Sequence, residues 1–109
     1  MPRLSVVVVA HREQGFIRAC LTSILDQPLA DRDAVEVLVV DDASADHSGD
    51  IARELASADP RLQVVEPGSR LGPGPAQLAG AAQGRGAYVW FVDAHDLLAP
   101  DALARVLPA

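Results

Sequence analysis

The chain has no lysine; all nine of its basic residues are arginines. That absence removes several chemistries at once. A phosphate-cradling G-x-x-x-x-G-K-[ST] loop cannot exist without its lysine. Receiver-like signalling domains, and phosphatases with a strand-end Asp-x-Asp nucleophile, usually pair their carboxylates with a lysine, so both fit poorly. No G-x-G-x-x-G follows the first apolar run, which argues against a Rossmann dinucleotide site. Cysteine is nearly absent too. Cys20 stands alone, so no disulfide can form within the chain, and a reducing compartment suits it. Aromatic residues make up only 4%, so a core must be built from Val, Leu, Ile and Ala. No apolar run approaches a membrane span. The first run, 4–10, is too short for a secretory signal and lacks a cleavage site. A cytoplasmic chain is expected, at most peripheral at the inner face of the membrane. Net charge is −6 with no basic run, which excludes non-specific nucleic-acid binding as a leading role.

What is present reads as one domain over 1–109, with half its residues hydrophobic. The β-branched run 4–10 predicts a strand buried on both faces. Phe16, Ile17, Cys20, Leu21, Ile24 and Leu25 recur at helical spacing, with Pro28 beyond them. On that apolar face Cys20 reads as a buried structural thiol. A second aliphatic strand is predicted over 35–40. Ile51, Ala52, Leu55 and Ala56 mark a second helix, capped by Asp46 or Ser48 and stopped at Asp59-Pro60. A short strand follows at 62–65. The segment 66–75 carries three glycines and three prolines and reads as irregular. An alanine-rich helix is predicted over 76–83, a strand over 87–92 and a last helix over 100–107. The strand at 87–92, like the first, reads as a central, buried one. The alternation gives an α/β fold: a parallel sheet of about four strands with helices on both faces.

In such sheets ligands bind beyond the carboxyl ends of the strands. The polar groups collect there: His11 and Arg12, then Asp41 and Asp42, then Asp93, His95 and Asp96. In an extended segment Asp93 and His95 would point the same way. One carboxylate and one imidazole suit Mn²⁺ or another borderline divalent ion better than Ca²⁺. The plainer alternative is a capped turn with a solvated histidine. Asp41-Asp42 likewise has two readings. One caps a turn together with Ser44; the other accepts hydrogen bonds from a ribose or base. On the residues alone, capping takes precedence.

Taken together, the stretch 5–10, Val37-Leu38-Val39-Val40-Asp41-Asp42-Ala43-Ser44, the segment 72–80, and 88–96 with Leu97, Leu98 and Pro100 resemble the front half of a family 2 glycosyltransferase. The resemblance implies a Rossmann-like GT-A half-domain and a nucleotide-diphosphate-sugar donor. It implies Mn²⁺ or Mg²⁺ held by Asp93 and His95, which would stand in the D-x-D positions. It places Ala10, His11, Asp41, Asp42, Gln77 and Asp93 around the donor, with Asp42 favoured for direct contact near the ribose and base. Asp96 matches an acidic residue that often follows the motif. An imidazole ligand ties metal binding to the ring's deprotonated state. The chain is also similar to bacterial polymer-building enzymes, which implies a glycan, lipid or polymer acceptor in the cell envelope.

Departures from the family pattern matter. Gln77 stands where an arginine is common, which should weaken diphosphate binding. Leu78 replaces a polar group with a core-seeking one, and Val9-Ala10-His11-Arg12 replaces P-T-Y-N. No residue here matches the catalytic base, so the base and acceptor site are expected in a missing C-terminal portion. The free sheet edge is expected to pair with that portion or with another subunit. The departures keep a second reading open: a degenerate relative serving as a scaffold or interaction module.

Overall fold

Four consecutive valines sit in β1, Leu4–Ala10, where β-branched side chains pack well on a pleated surface. The computed structural model describes residues 2–107; Met1, Pro108 and Ala109, the outer ends of the expected 1–109 domain, lie outside the described residues. Helix α1, Ile17–Leu25, buries Ile17, Cys20, Leu21, Ile24 and Leu25 along one stripe. A short 3₁₀ turn at Arg32–Ala34 leads into β2, Val35–Asp41. Then come α2, Ser48–Ala58, and β3, Leu62–Val65. Helix α3 spans Pro73–Gln83, β4 spans Tyr88–Asp93 and α4 spans Ala102–Val106.

All strand pairs are parallel, in the order β3-β2-β1-β4. The faces alternate with the pleat. Val6, Val8, Val37 and Val39 pack toward α1, α2 and α4 in one core. Val7, Leu38 and Val40 pack on the other face, beneath Ala76 of α3. Helix α3 lies close on that face. A Cβ on Gly80 would come within 2.5 Å of Val7 and 2.9 Å of Val40.

Four expectations need correction. Helix α3 begins at Pro73 rather than Ala76. Prolines in a first turn lose no hydrogen bond, because those N–H groups have no partner within the helix. Helix α4 begins at Ala102, after Asp101, rather than at Pro100. Strand β4 is not central: among the described residues it pairs only with β1, at the sheet edge. Tyr88 is 71% exposed, and Val89 and Phe91 are exposed as well. An apolar run at an edge looks, in sequence, like one in the middle. Leu78 is also not in the core, at 70% exposed.

The amino-terminal end of the sheet is closed by a buried carboxylate. Ser5 Oγ donates to Glu36 Oε2 at 2.6 Å and accepts from the Gly86 N–H at 2.9 Å. The Arg85 N–H also donates to Glu36 Oε2. Arg85 Nε lies 3.7 Å from Glu36 Oε1. Burial pushes the Glu36 carboxyl up, but the Ser5 and Arg85 hydrogen bonds and the Arg85 charge outweigh it and hold it low. The cluster fixes the turn that launches β4 beside β1.

Candidate functional site

Strand register assembles the other end. Ala10 lies opposite Asp41, and Val9 lies opposite Asp93. The residues after three strands therefore share one edge, as expected from sequence. Ala10 is buried, and its carbonyl accepts from the Asp42 N–H at 2.9 Å. Arg12 and Ala43, with φ of 58° and 55°, turn the chain away from their strands in left-handed conformations rare for such residues. Side chains then knit the loops together. Arg12 N–H donates to Ser44 Oγ, Glu13 N–H to Ser48 Oγ and Gln14 N–H to Asp46 Oδ2.

Asp41 and Asp42 have separate roles. Asp41 Oδ1 accepts from the Ser44 N–H at 3.1 Å, which is the capping geometry. Its other oxygen occupies the space a Cβ on Gly49 would need, so a side chain in that first turn of α2 would require the Asp41 carboxylate to move. Asp42 is 1% exposed. Its oxygens accept from the N–H groups of Leu71 at 2.7 Å and Gly72 at 3.0 Å. Its carboxylate thus faces the loop before α3 and holds it over the strand ends.

His11 completes that clasp. The Asp42 carbonyl can only accept and the Arg70 guanidinium can only donate. His11 therefore donates from Nδ1 to the Asp42 carbonyl at 2.8 Å and accepts at Nε2 from Arg70 Nη1 at 2.9 Å. Arg70 Nε also lies 3.7 Å from Asp42 Oδ2. Sequence reading missed Arg70, which sat in a segment read only as irregular.

His95 lies in a turn after β4, not on the strand that carries Asp93. Strand β4 ends at Asp93, and the Asp93 carbonyl accepts from the Asp96 N–H at 3.0 Å. The expectation that extended spacing aligns the two side chains fails for that reason. Asp93 and Asp96 line an open cleft of about 400 Å³ with Gln77, Phe91, Leu97 and Leu98. His95 turns to the β1–α1 loop. Its Nδ1 is 3.7 Å from Glu13 Oε2, and its ring meets Phe16 edge-on at 6.3 Å. The segment between β4 and α4 is tied to the end of α1 through buried Gln27. Gln27 Nε2 donates to the Ala99 carbonyl at 2.8 Å, and Gln27 Oε1 accepts from the Leu103 N–H at 2.9 Å.

Cys20 lies under this loop, its Sγ donating to the Asp93 carbonyl at 3.5 Å. Burial first, then the charges of Asp96, Asp93 and Glu13, push the thiol up to about 11. It is a structural thiol, as expected.

One carboxylate and one imidazole fit Mn²⁺, and Mg²⁺ through the carboxylate. Among the described residues no three His, Cys, Asp or Glu side chains gather to hold an ion. The residues suit a divalent cation that arrives with oxygens of its own rather than a closed structural site. No described helix is long and apolar enough to cross a membrane.

A profile of the family described as Glycosyl transferase family 2 matches residues 5–109. The succinoglycan biosynthesis protein ExoO of Rhizobium meliloti is 35% identical over 107 residues, 98% of this chain and 29% of that protein. The crystal structure of S. aureus TarS in complex with UDP-GlcNAc superposes with a TM-score of 0.86 at 28% identity, over 95% of this chain and 30% of that one. The mannosyltransferase PcManGT of Pyrobaculum calidifontis, in complex with GDP-Man and Mn²⁺, gives 0.85 at 35% identity, over 94% and 30%. The chain thus spans less than a third of the length of each of these relatives. Its fold is that of the GT-A glycosyltransferases.

Proposed function

Because the chain belongs to glycosyl transferase family 2, we propose that it carries the donor half of a sugar-transfer site. The observation that carries this reading is the strand register, which sets His11, Asp41, Asp42 and Asp93 along one edge of the sheet. Ala10, His11, Asp41 and Asp42 form the base-and-ribose side. Asp42 acts there through the loop it holds, since its own oxygens are turned to backbone N–H groups. Gln77 and Asp93, which share a cleft, face the diphosphate. Asp93 and His95 hold Mn²⁺ or Mg²⁺.

The bound ion would neutralise charge on the diphosphate leaving group. The rest falls to the chain: the strand ends orient the nucleotide, and the loop before α3 limits water. The complexes of TarS with UDP-GlcNAc and PcManGT with GDP-Man and Mn²⁺ support the donor class. We place the acceptor among cell-envelope glycans, lipids or polymers, and the reaction on the cytoplasmic side, which suits a lone thiol. Activating an acceptor hydroxyl needs a base. We assign that base and the acceptor site to a portion outside this chain.

One observation favours the scaffold reading instead. Asp42 already spends both oxygens inside the protein, and Gln77 offers no charge to a diphosphate. Calorimetric titration with UDP, CDP and GDP, each with and without Mn²⁺, separates the two. Donor binding predicts heat that requires Mn²⁺ and disappears in His95→Ala. A folded chain that binds none of the three would overturn the donor reading, leaving a degenerate scaffold or a stretch too incomplete to bind.

A further inference from the structure

The segment 94–101, between β4 and α4, belongs to no helix or strand. Its place is nevertheless fixed, and from one helix. Cys20, Ser23 and Gln27, spaced by three and four residues, form a polar stripe along α1 and the turn just beyond it. Cys20 Sγ meets the Asp93 carbonyl where β4 ends. Ser23 Oγ accepts from the Leu98 N–H at 3.1 Å and donates to the Cys20 carbonyl at 2.6 Å. Gln27 is buried, and its amide is used in full. Its Nε2 donates to the Ser23 and Ala99 carbonyls at 3.0 and 2.8 Å, and its Oε1 accepts from the Leu103 N–H at 2.9 Å. That N–H lies in the first turn of α4, where it has no partner within the helix. Packing alone would be met by a leucine at this position. A fully satisfied amide there instead specifies one place for the chain it holds.

That chain forms part of the open cleft that Asp93 shares with Gln77. Leu97, Leu98 and Ala99 line the cleft from this segment, and Gln77 lines it from α3. Strand β4 is a weak support for such a wall, because among the described residues it pairs only with β1. The hydrogen bonds to Ser23 and Gln27 supply what the sheet does not. We propose that Gln27 and Ser23 are positioning residues for the diphosphate side of the donor site: they hold the wall from Asp93 to Ala99 in place relative to Gln77, so that one diphosphate meets both. Neither side chain lines the cleft. They act through the backbone of Leu98, Ala99 and Leu103. The assignment rests on the donor-site reading above. It uses the cleft shared by Asp93 and Gln77 and no particular set of metal ligands.

The test compares Gln27→Leu, Ser23→Ala and Ser23→Thr with Ser5→Ala, a control at the opposite end of the sheet. Competition calorimetry in Mn²⁺ measures UDP against UMP and GDP against GMP. A loss of stability alone weakens both members of a pair alike, whereas a displaced wall weakens the diphosphate more. The preference for diphosphate over monophosphate should fall roughly 10-fold in Gln27→Leu and by less in Ser23→Ala. Ser23→Thr keeps the hydroxyl and should restore it. Ser5→Ala should lower stability and leave the preference unchanged. Circular dichroism checks that each variant folds; should Gln27→Leu not fold, the Ser23 pair carries the test. A preference unchanged in folded Gln27→Leu and Ser23→Ala would overturn the assignment and leave the donor site standing. An equal fall in Ser5→Ala would overturn it too. Folded wild type that binds none of the four nucleotides would overturn the donor reading, and this role with it.

Discussion

The two ends of the sheet use the same device for different purposes. At the amino-terminal end, buried Glu36 accepts from Ser5 Oγ and the Arg85 N–H. At the carboxyl end, buried Asp42 accepts from the Leu71 and Gly72 N–H groups. Both carboxylates pin a loop that precedes the next element. The difference lies in what surrounds them. Around Glu36, each polar side chain of the cluster is occupied by another, and the effect is to start β4 in register. Along the same edge as Asp42, beyond β1, the end of β4 and its turn present Asp93, His95 and Asp96 on the exposed surface. A buried acid alone therefore does not mark a site; exposed donors along the same edge do.

The largest expected effect is at the closed end. Glu36→Ala leaves the Ser5 hydroxyl and the Arg85 N–H without their acceptor. We expect a loss of about 3 kcal/mol in urea unfolding, in line with deleting a charged hydrogen-bond partner. The loss should depend on pH. The Glu36 carboxyl is held below its ordinary value in the folded chain. Its stabilisation is thus present above the unfolded value of about 4.3 and is lost as pH falls through the folded value. Wild type and Glu36→Gln should differ at neutral pH and converge in acid. A difference that persists unchanged in acid would contradict an ionised Glu36.

A smaller effect is expected at the open end. Asp42→Asn keeps the shape but loses the charge and one acceptor, and should cost about 1–2 kcal/mol. Its sharper signature is local. Hydrogen exchange at the Leu71 and Gly72 N–H groups should speed up, while Val6 to Val8 stay protected. Uniform loss of protection would mean that Asp42 supports the whole sheet rather than a loop.

The smallest effect on stability is expected where function is placed. Asp93→Asn changes an exposed side chain, so thermal unfolding should move by no more than about 0.5 kcal/mol. Mn²⁺-dependent nucleotide binding should nevertheless fall away. Large destabilisation with binding intact would reverse the contrast between the ends.

Much of this contrast was legible in sequence. The valines of β1 and the aliphatic run of β2 could hardly be anything but buried strands. Parallel order then put their ends together. Other features depended on partners far along the chain. The role of Glu36 was not legible, because its partners Ser5 and Arg85 lie 31 and 49 positions away. Gln27 reaches Ala99 and Leu103 across more than 70 positions. Glu13, Arg70 and the true use of Asp42 were hidden for the same reason. Local reading failed in a different way at α3, where Pro73 and Pro75 read as breakers but sit in a first turn. It failed again at Asp93-Ala94-His95, where a turn replaced the assumed extended chain. Strand β4 has apolar residues typical of a central strand, and only the pairing shows it at an edge.

The central claim is that metal and nucleotide meet the carboxyl end of the sheet at Asp93 and His95. Mn²⁺ is paramagnetic and broadens nearby resonances, so backbone NMR with a nucleoside diphosphate and substoichiometric Mn²⁺ reads its position directly. Broadening should centre on Asp93 to Asp96 and reach His11 and Glu13, leaving Ser5, Glu36 and Arg85 sharp. Broadening centred on Glu36, or spread evenly over the exposed carboxylates, would contradict the account.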